Sequence, residues 1–231
     1  MIVHTQNAFN GIPPQAPEFL RALAVNNRKE WFEAQREEYR QCLLEPLQLL
    51  ASALAGPLIA IDPDLITEPR RVVSRIHRDT RFSRNKSPYK TSMWLTFKRP
   101  TNPWLDSPSF FFEISADSYR FGMGFFSASR ETMDRLRQVI DRKPEEFRRA
   151  IAFLAGQDTF VPEGEKYKRL LDGTKEEDFL EWYQRKNLYL VCNRRVDDRL
   201  YSRGLLDELT AGFGMLATFY HWLWVLKVPL R

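Results

Sequence analysis

The sequence predicts an α+β fold: an antiparallel β-meander of four to five strands over about residues 70–126, the fifth over 188–192, covered by N-terminal and C-terminal helices. Three observations carry this expectation. Apolar residues recur at helical spacing up to Ala55 and again from Ser129 onward. Between Glu68 and Phe125 the pattern switches to period two, as half-buried strands require. The link Asp117-Ser118 is only two residues long, which favours antiparallel neighbours. Helices, then strands, then helices is the order of an α+β domain.

Residues 1–16 lack periodicity and contain Pro13-Pro14, so they are expected to form an N-terminal tail, with 17–231 as a single domain. Glu18–Leu23 reads as a short helix. Asn27 is placed to cap a second helix that starts at Arg28, with Glu30 in its first turn. Trp31, Phe32, Tyr39, Leu43, Leu47 and Leu50 supply its apolar stripe, Pro46 predicts a kink and Gly56-Pro57 an end. Four strands follow: Arg71–Arg78, Ser92–Lys98, Ser109–Ala116 and Tyr119–Phe125. The run Phe110-Phe111-Phe112 reads as a strand buried on both faces. Ser129 opens a helix with Met133, Leu136, Val139 and Ile140 on one side, and Pro144 starts another. Residues 156–175 read as loop, Glu176–Gln184 as a short helix, Leu188–Cys192 as the fifth strand, and Ser202 as a cap for a long terminal helix.

Composition excludes several classes of protein. The 231 residues are 43% hydrophobic and 28% charged, which is globular and neither disordered nor collagen-like. Two distant cysteines, Cys42 and Cys192, form no disulfide framework or zinc ligand set and fit a reducing, cytoplasmic compartment. The opening Met1–Asn7 has no basic segment followed by an apolar one, so no signal peptide is expected. The uncharged stretch Leu209–Leu226 reaches the length of a membrane span. Its large residues nevertheless fall at helical spacing, so a buried terminal helix is expected in place of a span, with His221 as a core histidine.

The net charge of +5 is local. Residues 70–90 hold eight basic residues and one acid, Asp79, for a net +7; the rest of the chain has 27 basic and 29 acidic residues, a net −2. At the centre of that window stands Arg78-Asp79-Thr80-Arg81-Phe82-Ser83-Arg84-Asn85-Lys86-Ser87-Pro88-Tyr89-Lys90. With Arg75 and Ile76 ahead of it, this motif resembles the signature R-I-x-R-D-x-R-F-S-x-D-K-x-P-Y-K of a bacterial family catalogued as domain of unknown function 2461. Asn85 stands where the family has an acid. The similarity extends to Phe19-Leu20, Asn27-Arg28 and Trp31-Phe32, to Gly122 and Gly124, and to the segment from Lys168-Arg169 to Leu190. The resemblance implies no particular reaction.

Clustered cations repel one another unless something neutralises them. The first reading is a small phosphorylated or carboxylate ligand, bound by Arg75, Arg78, Arg81, Ser83, Lys86, Tyr89 and Lys90. Guanidinium forks suit phosphate and carboxylate, and hydroxyls add donors. Phe82, Tyr89 and Trp94 offer stacking surfaces, and Gly122 with Gly124 offers a strand face that a ligand or a helix can approach closely. The second reading is a non-catalytic structural or interaction protein whose basic loop is an internal ion-pair network. The third is nucleic-acid binding. For catalysis the candidates are His77 and Asp79, two apart at a strand end, with Asp79 also placed to organise arginine forks. Neither a cofactor nor a metal is expected: there is no Walker loop, nucleophile elbow or H-E-x-x-H, Gly122-Met123-Gly124 lacks the rest of a dinucleotide fingerprint, and Glu163 and Glu165 have no third ligand at metal spacing. Cys192 precedes Asn193-Arg194-Arg195 but reads as a structural thiol.

Overall fold

The structure, a computed structural model, describes residues 8–81 and 83–227. The first seven residues, on which the signal-peptide reading and the start of the expected tail rest, and the expected stacking residue Phe82 lie outside the described residues.

The expected antiparallel sheet forms, with five strands in the order β1-β2-β3-β5-β4. They are β1 (Met93–Lys98), β2 (Pro108–Ile114), β3 (Ser118–Phe125), β4 (Val161–Glu163) and β5 (Tyr189–Arg195). Alternation works as predicted in β1, where Met93, Leu95 and Phe97 are fully buried. In β2, Phe110 and Phe112 are buried while Phe111 is half-exposed, so that strand is not closed on both faces. The three-residue β4, expected to be loop, pairs antiparallel with β5 in the register Val161↔Val191, Pro162↔Leu190, Glu163↔Tyr189.

The expected first strand, Arg71–Arg78, is not a strand. Pro69 presets a helical φ, and the N–H groups of Arg71 and Val72 both donate to Glu68 O, giving a single turn, α5 (Pro69–Val72). The chain then pairs only at two isolated antiparallel bridges, Val73↔Leu95 and His77↔Tyr89. Between them, Ser74 Oγ accepts the Trp94 N–H at 3.1 Å, a role a ladder carbonyl would otherwise fill. Pairing resumes with Lys90 N–H to Ile76 O at 2.9 Å and Arg78 N–H to Pro88 O at 2.8 Å. The product is an irregular hairpin whose tip is the basic loop.

The chain divides into two compact units. The first takes in the described residues of Met1–Phe97 with Phe111–Arg120 and Asn193–Ala211; the second takes in Lys98–Phe110, Phe121–Cys192 and the described residues of Gly212–Arg231. The boundaries fall inside strands and inside the terminal helix α9 (Gly204–Val225), so no linker composition marks them.

The first unit is built on helices α1 (Gln15–Val25), α2 (Lys29–Ala34), α3 (Arg36–Tyr39) and α4 (Glu45–Ile61). Residues ahead of α1 are packed: Phe9 and Ile12 are buried, and Ile12 N–H donates to Leu200 O at 2.9 Å. The kink expected at Pro46 takes the form of a π-helical turn over Arg40–Leu44, in which Glu45 N–H reaches back five residues to Arg40 O. Pro46 has no N–H to offer, and a widened turn accommodates that loss. Gly56-Pro57 does not end the helix, which runs on to Ile61. A proline inside a helix costs about 3 kcal/mol. Burial of Leu54 and Leu58, at roughly 2 kcal/mol each, offsets it.

By length and composition, Arg36–Ile61 could cross a membrane. Its leucines Leu43, Leu47, Leu50, Leu54 and Leu58 are fully buried inside the protein. The uncharged stretch in α9 is likewise a core stripe: Leu209, Phe213, Leu216, Phe219, Tyr220 and Leu223 are all buried. His221 lies outside that stripe and is exposed, contrary to expectation.

The second unit contains α6 (Arg130–Arg142), α7 (Pro144–Ile151), α8 (Glu177–Tyr183) and most of α9. Ser129 caps α6 as expected, its Oγ accepting the Thr132 N–H at 3.1 Å. Phe110, Phe121, Phe160 and Phe213 meet at ring distances of 5.2–6.0 Å. Gly212 admits the Phe121 ring, since a Cβ there would lie 2.6 Å from it. Arg137 and Arg185 are buried in this unit and bind backbone carbonyls, a pair that sequence reading did not single out.

Candidate functional site

The basic loop is fixed at its base by a residue far away in sequence. Asn27, expected to cap a helix, instead clamps Tyr89 from both sides. Its Nδ2 donates to Tyr89 O and its Oδ1 accepts Tyr89 N–H, both at 3.0 Å. Tyr89 is 3% exposed, and its ring stacks on Phe32 at 4.1 Å between centroids. That ring is committed to the protein and offers no face to a ligand. The Trp94 ring is covered by Lys90 Nζ at 4.1 Å.

Within the loop, short polar contacts set the path of the chain. Asp79 accepts Arg81 Nε at 3.0 Å and a terminal Arg81 nitrogen at 2.7 Å, as well as the Arg81 backbone N–H. These hydrogen bonds from Arg81 hold the Asp79 carboxyl down at about 2. Asn85 Oδ1 accepts the Ser87 N–H at 2.9 Å, a turn contact in which an amide oxygen serves as well as a carboxylate. Lys86 Nζ donates to Thr80 O at 2.9 Å, and Lys90 Nζ to Arg75 O at 2.7 Å. Both lysines therefore brace the loop's own backbone. Burial lowers the Lys90 pKa from its ordinary value.

The arginines divide differently. Arg71 pairs with Glu68 at 3.1 Å and Arg81 with Asp79. Arg75, Arg78 and Arg84 are exposed, and their side chains meet no acid or hydrogen-bond acceptor among the described residues. Arg84 belongs to the charged window but not to the predicted site; its position as one of four arginines three residues apart was the available signal. The Ser83 backbone N–H donates to Thr80 O at 3.4 Å, and its hydroxyl has no partner among the described residues.

The remaining candidates are placed elsewhere or engaged elsewhere. His77 lies beside Tyr89 and Phe32, at 5.2 and 6.2 Å between ring centroids, and no hydrogen bond joins it to Asp79 among the described residues. Gly122 and Gly124 belong to the second unit. The close approach they permit is made by strand β5: a Cβ on Gly122 would lie 1.9 Å from Leu190 O, and one on Gly124 would lie 2.4 Å from Tyr189 Cα. Cys42 and Cys192 are buried and not joined in a disulfide, and burial pushes the Cys42 thiol up to about 12. Glu165 is paired with Lys186.

A family model described as "Conserved hypothetical protein (DUF2461)" matches residues 15–222 of the chain. No curated protein matches it.

Proposed function

The chain belongs to the family of conserved hypothetical proteins DUF2461, and from that premise, which carries no reaction with it, we propose that it binds an anionic ligand through a phosphate or carboxylate group held by Arg75, Arg78 and Arg84. One observation carries the reading: these three guanidiniums are exposed and have no acid among the described residues. An internal ion-pair network would give each of them a carboxylate. The fork geometry of arginine suits planar or tetrahedral oxyanions, and the Ser83 hydroxyl adds a donor. Lys86 and Lys90 act from behind by holding the loop's carbonyls. A cytoplasmic setting is part of the proposal, since cysteines outside any disulfide, as Cys42 and Cys192 are, suit a reducing compartment.

Thermal unfolding against inorganic phosphate, nucleotides, sugar phosphates and dicarboxylates tests the proposal. A ligand at about 100 times its dissociation constant stabilises the fold by roughly 2.7 kcal/mol. That gain should disappear in Arg78→Ala, whose own stability should match the parent. No shift with any member of the panel and none with a longer polyanion would overturn the proposal.

A further inference from the structure

We infer, resting on the anion-binding reading above, that the ligand is a phosphodiester chain: a nucleic acid held by its backbone, without regard to base sequence. The argument starts from exposure. Arg75, Arg78 and Arg84 stand in solvent. An ion pair in that setting strengthens binding by at most about fivefold. Three such pairs give a gain on the order of a hundredfold, which leaves a single small anion dissociating in the millimolar range. An open cationic surface becomes a strong binding surface only toward a polymer, where each phosphate contact also releases condensed counterions.

Charge counting points the same way. Once Arg71 is assigned to Glu68 and Arg81 to Asp79, the window from 70 to 90 retains Arg70, Arg75, Arg78, Arg84, Lys86 and Lys90, with no acid paired to them among the described residues. A phosphate monoester brings about two negative charges. It leaves most of those cations uncompensated, whereas a backbone supplies one charge per nucleotide along its length.

The aromatic rings decide how such a chain is read. Tyr89 is buried against Phe32, and Trp94 is capped by Lys90. The Tyr89 ring is therefore closed to a base, and one face of Trp94 is already taken. Contacts from arginine forks to phosphates position a backbone and carry no sequence information.

Fluorescence anisotropy of a labelled mixed-sequence single strand, titrated with the full chain over a range of KCl concentrations, tests this. Inorganic phosphate, ATP, inorganic polyphosphate and anionic phospholipid vesicles are run as parallel ligands. The expected result is oligonucleotide binding whose log affinity falls against log salt with a slope of about −2, since each single-strand phosphate contact contributes about −0.7. Arg75→Ala, Arg78→Ala and Arg84→Ala should each flatten the slope by about 0.7 and weaken all sequences equally, with unchanged thermal unfolding. If phosphate or ATP binds in an Arg78-dependent way and the oligonucleotide does not bind at low salt, the chain inference falls and the anion-binding reading stands. Binding of vesicles or polyphosphate without the oligonucleotide also overturns the inference. So does oligonucleotide binding with a slope indifferent to the three arginines, which would put the contact on another surface. If no anion binds at all, both readings fall.

Discussion

Arg137 and Arg185 carry the same guanidinium as Arg75, Arg78 and Arg84, under opposite conditions. Arg137 is 8% exposed and donates to Tyr183 O at 2.9 Å, Arg185 O at 2.6 Å and Asp134 at 2.7 Å. Arg185 is 3% exposed; its terminal nitrogens hold Gly164 O at 2.9 Å, Pro162 O at 2.6 Å and the Glu181 carboxylate, and its Nε is buried without a hydrogen-bond partner among the described residues. The second unit thus uses arginine as a fastener for carbonyls that secondary structure leaves over. Arg75, Arg78 and Arg84 fasten nothing among the described residues, while Lys86 and Lys90 hold the loop's own carbonyls. A buried charge must be answered by the fold, because desolvation makes an unanswered one costly. An exposed charge is answered by water and survives without a partner in the fold.

Four substitutions or titrations can break or sharpen that contrast. The largest effect belongs to Arg185→Ala, which takes the donor from the Gly164 and Pro162 carbonyls and leaves the partly exposed Glu181 to Lys166. A buried acceptor left without its donor costs about 1–3 kcal/mol, and with two carbonyls affected urea unfolding should show a loss of about 3 kcal/mol. If the loss is below about 1 kcal/mol, the fastening role is refuted. Next comes Asn27→Ala, which takes both partners from the Tyr89 backbone; about 2 kcal/mol is expected by the same measurement, since part-buried groups lose their hydrogen bonds. Arg78→Ala should change stability by no more than about 0.5 kcal/mol. A larger loss would show that this side chain serves the fold after all.

The smallest effect is local. Asp79 is held at about 2, below the ordinary aspartate value near 3.9. A carboxyl with a depressed folded-state pKa contributes its contact fully above the unfolded value and loses it as pH falls through the folded one. The Asp79–Arg81 contact should therefore persist to about pH 2, as NMR titration of the side-chain carboxyl would report. A midpoint near 4 would mean that the fork is not held.

The residues that announced themselves in sequence were those with a period. Met93, Leu95 and Phe97 alternate, and they form β1; Ser129 precedes an apolar stripe, and it caps α6. Residues 161–163 are too few to show alternation, and β4 was read as loop. The strand expected at 71–78 had a suitable pattern, but Pro69 and the Ser74 hydroxyl redirected its first half. Gly56-Pro57 carried a stop signal that leucine burial overrode. At the candidate site, the concentration of charge was plain from composition alone. Which cations were neutralised was not, since an arginine bound to carbonyls and one facing water are the same letter. Asn27 was legible as a capping residue; its true partner lies 62 positions away and left no local trace.

That long-range clamp has a consequence for how quickly and how selectively the loop can act. Its stem is pinned by Asn27, and two lysines stitch its interior, so the arginines are held as neighbours before any partner arrives. Were the loop to bind an anionic chain as proposed, a second fork would meet its target at a high effective concentration once the first had engaged, with little ordering left to be done. A residue of the turn between α1 and α2 that touches no ligand would in this way govern the avidity of a surface it never joins.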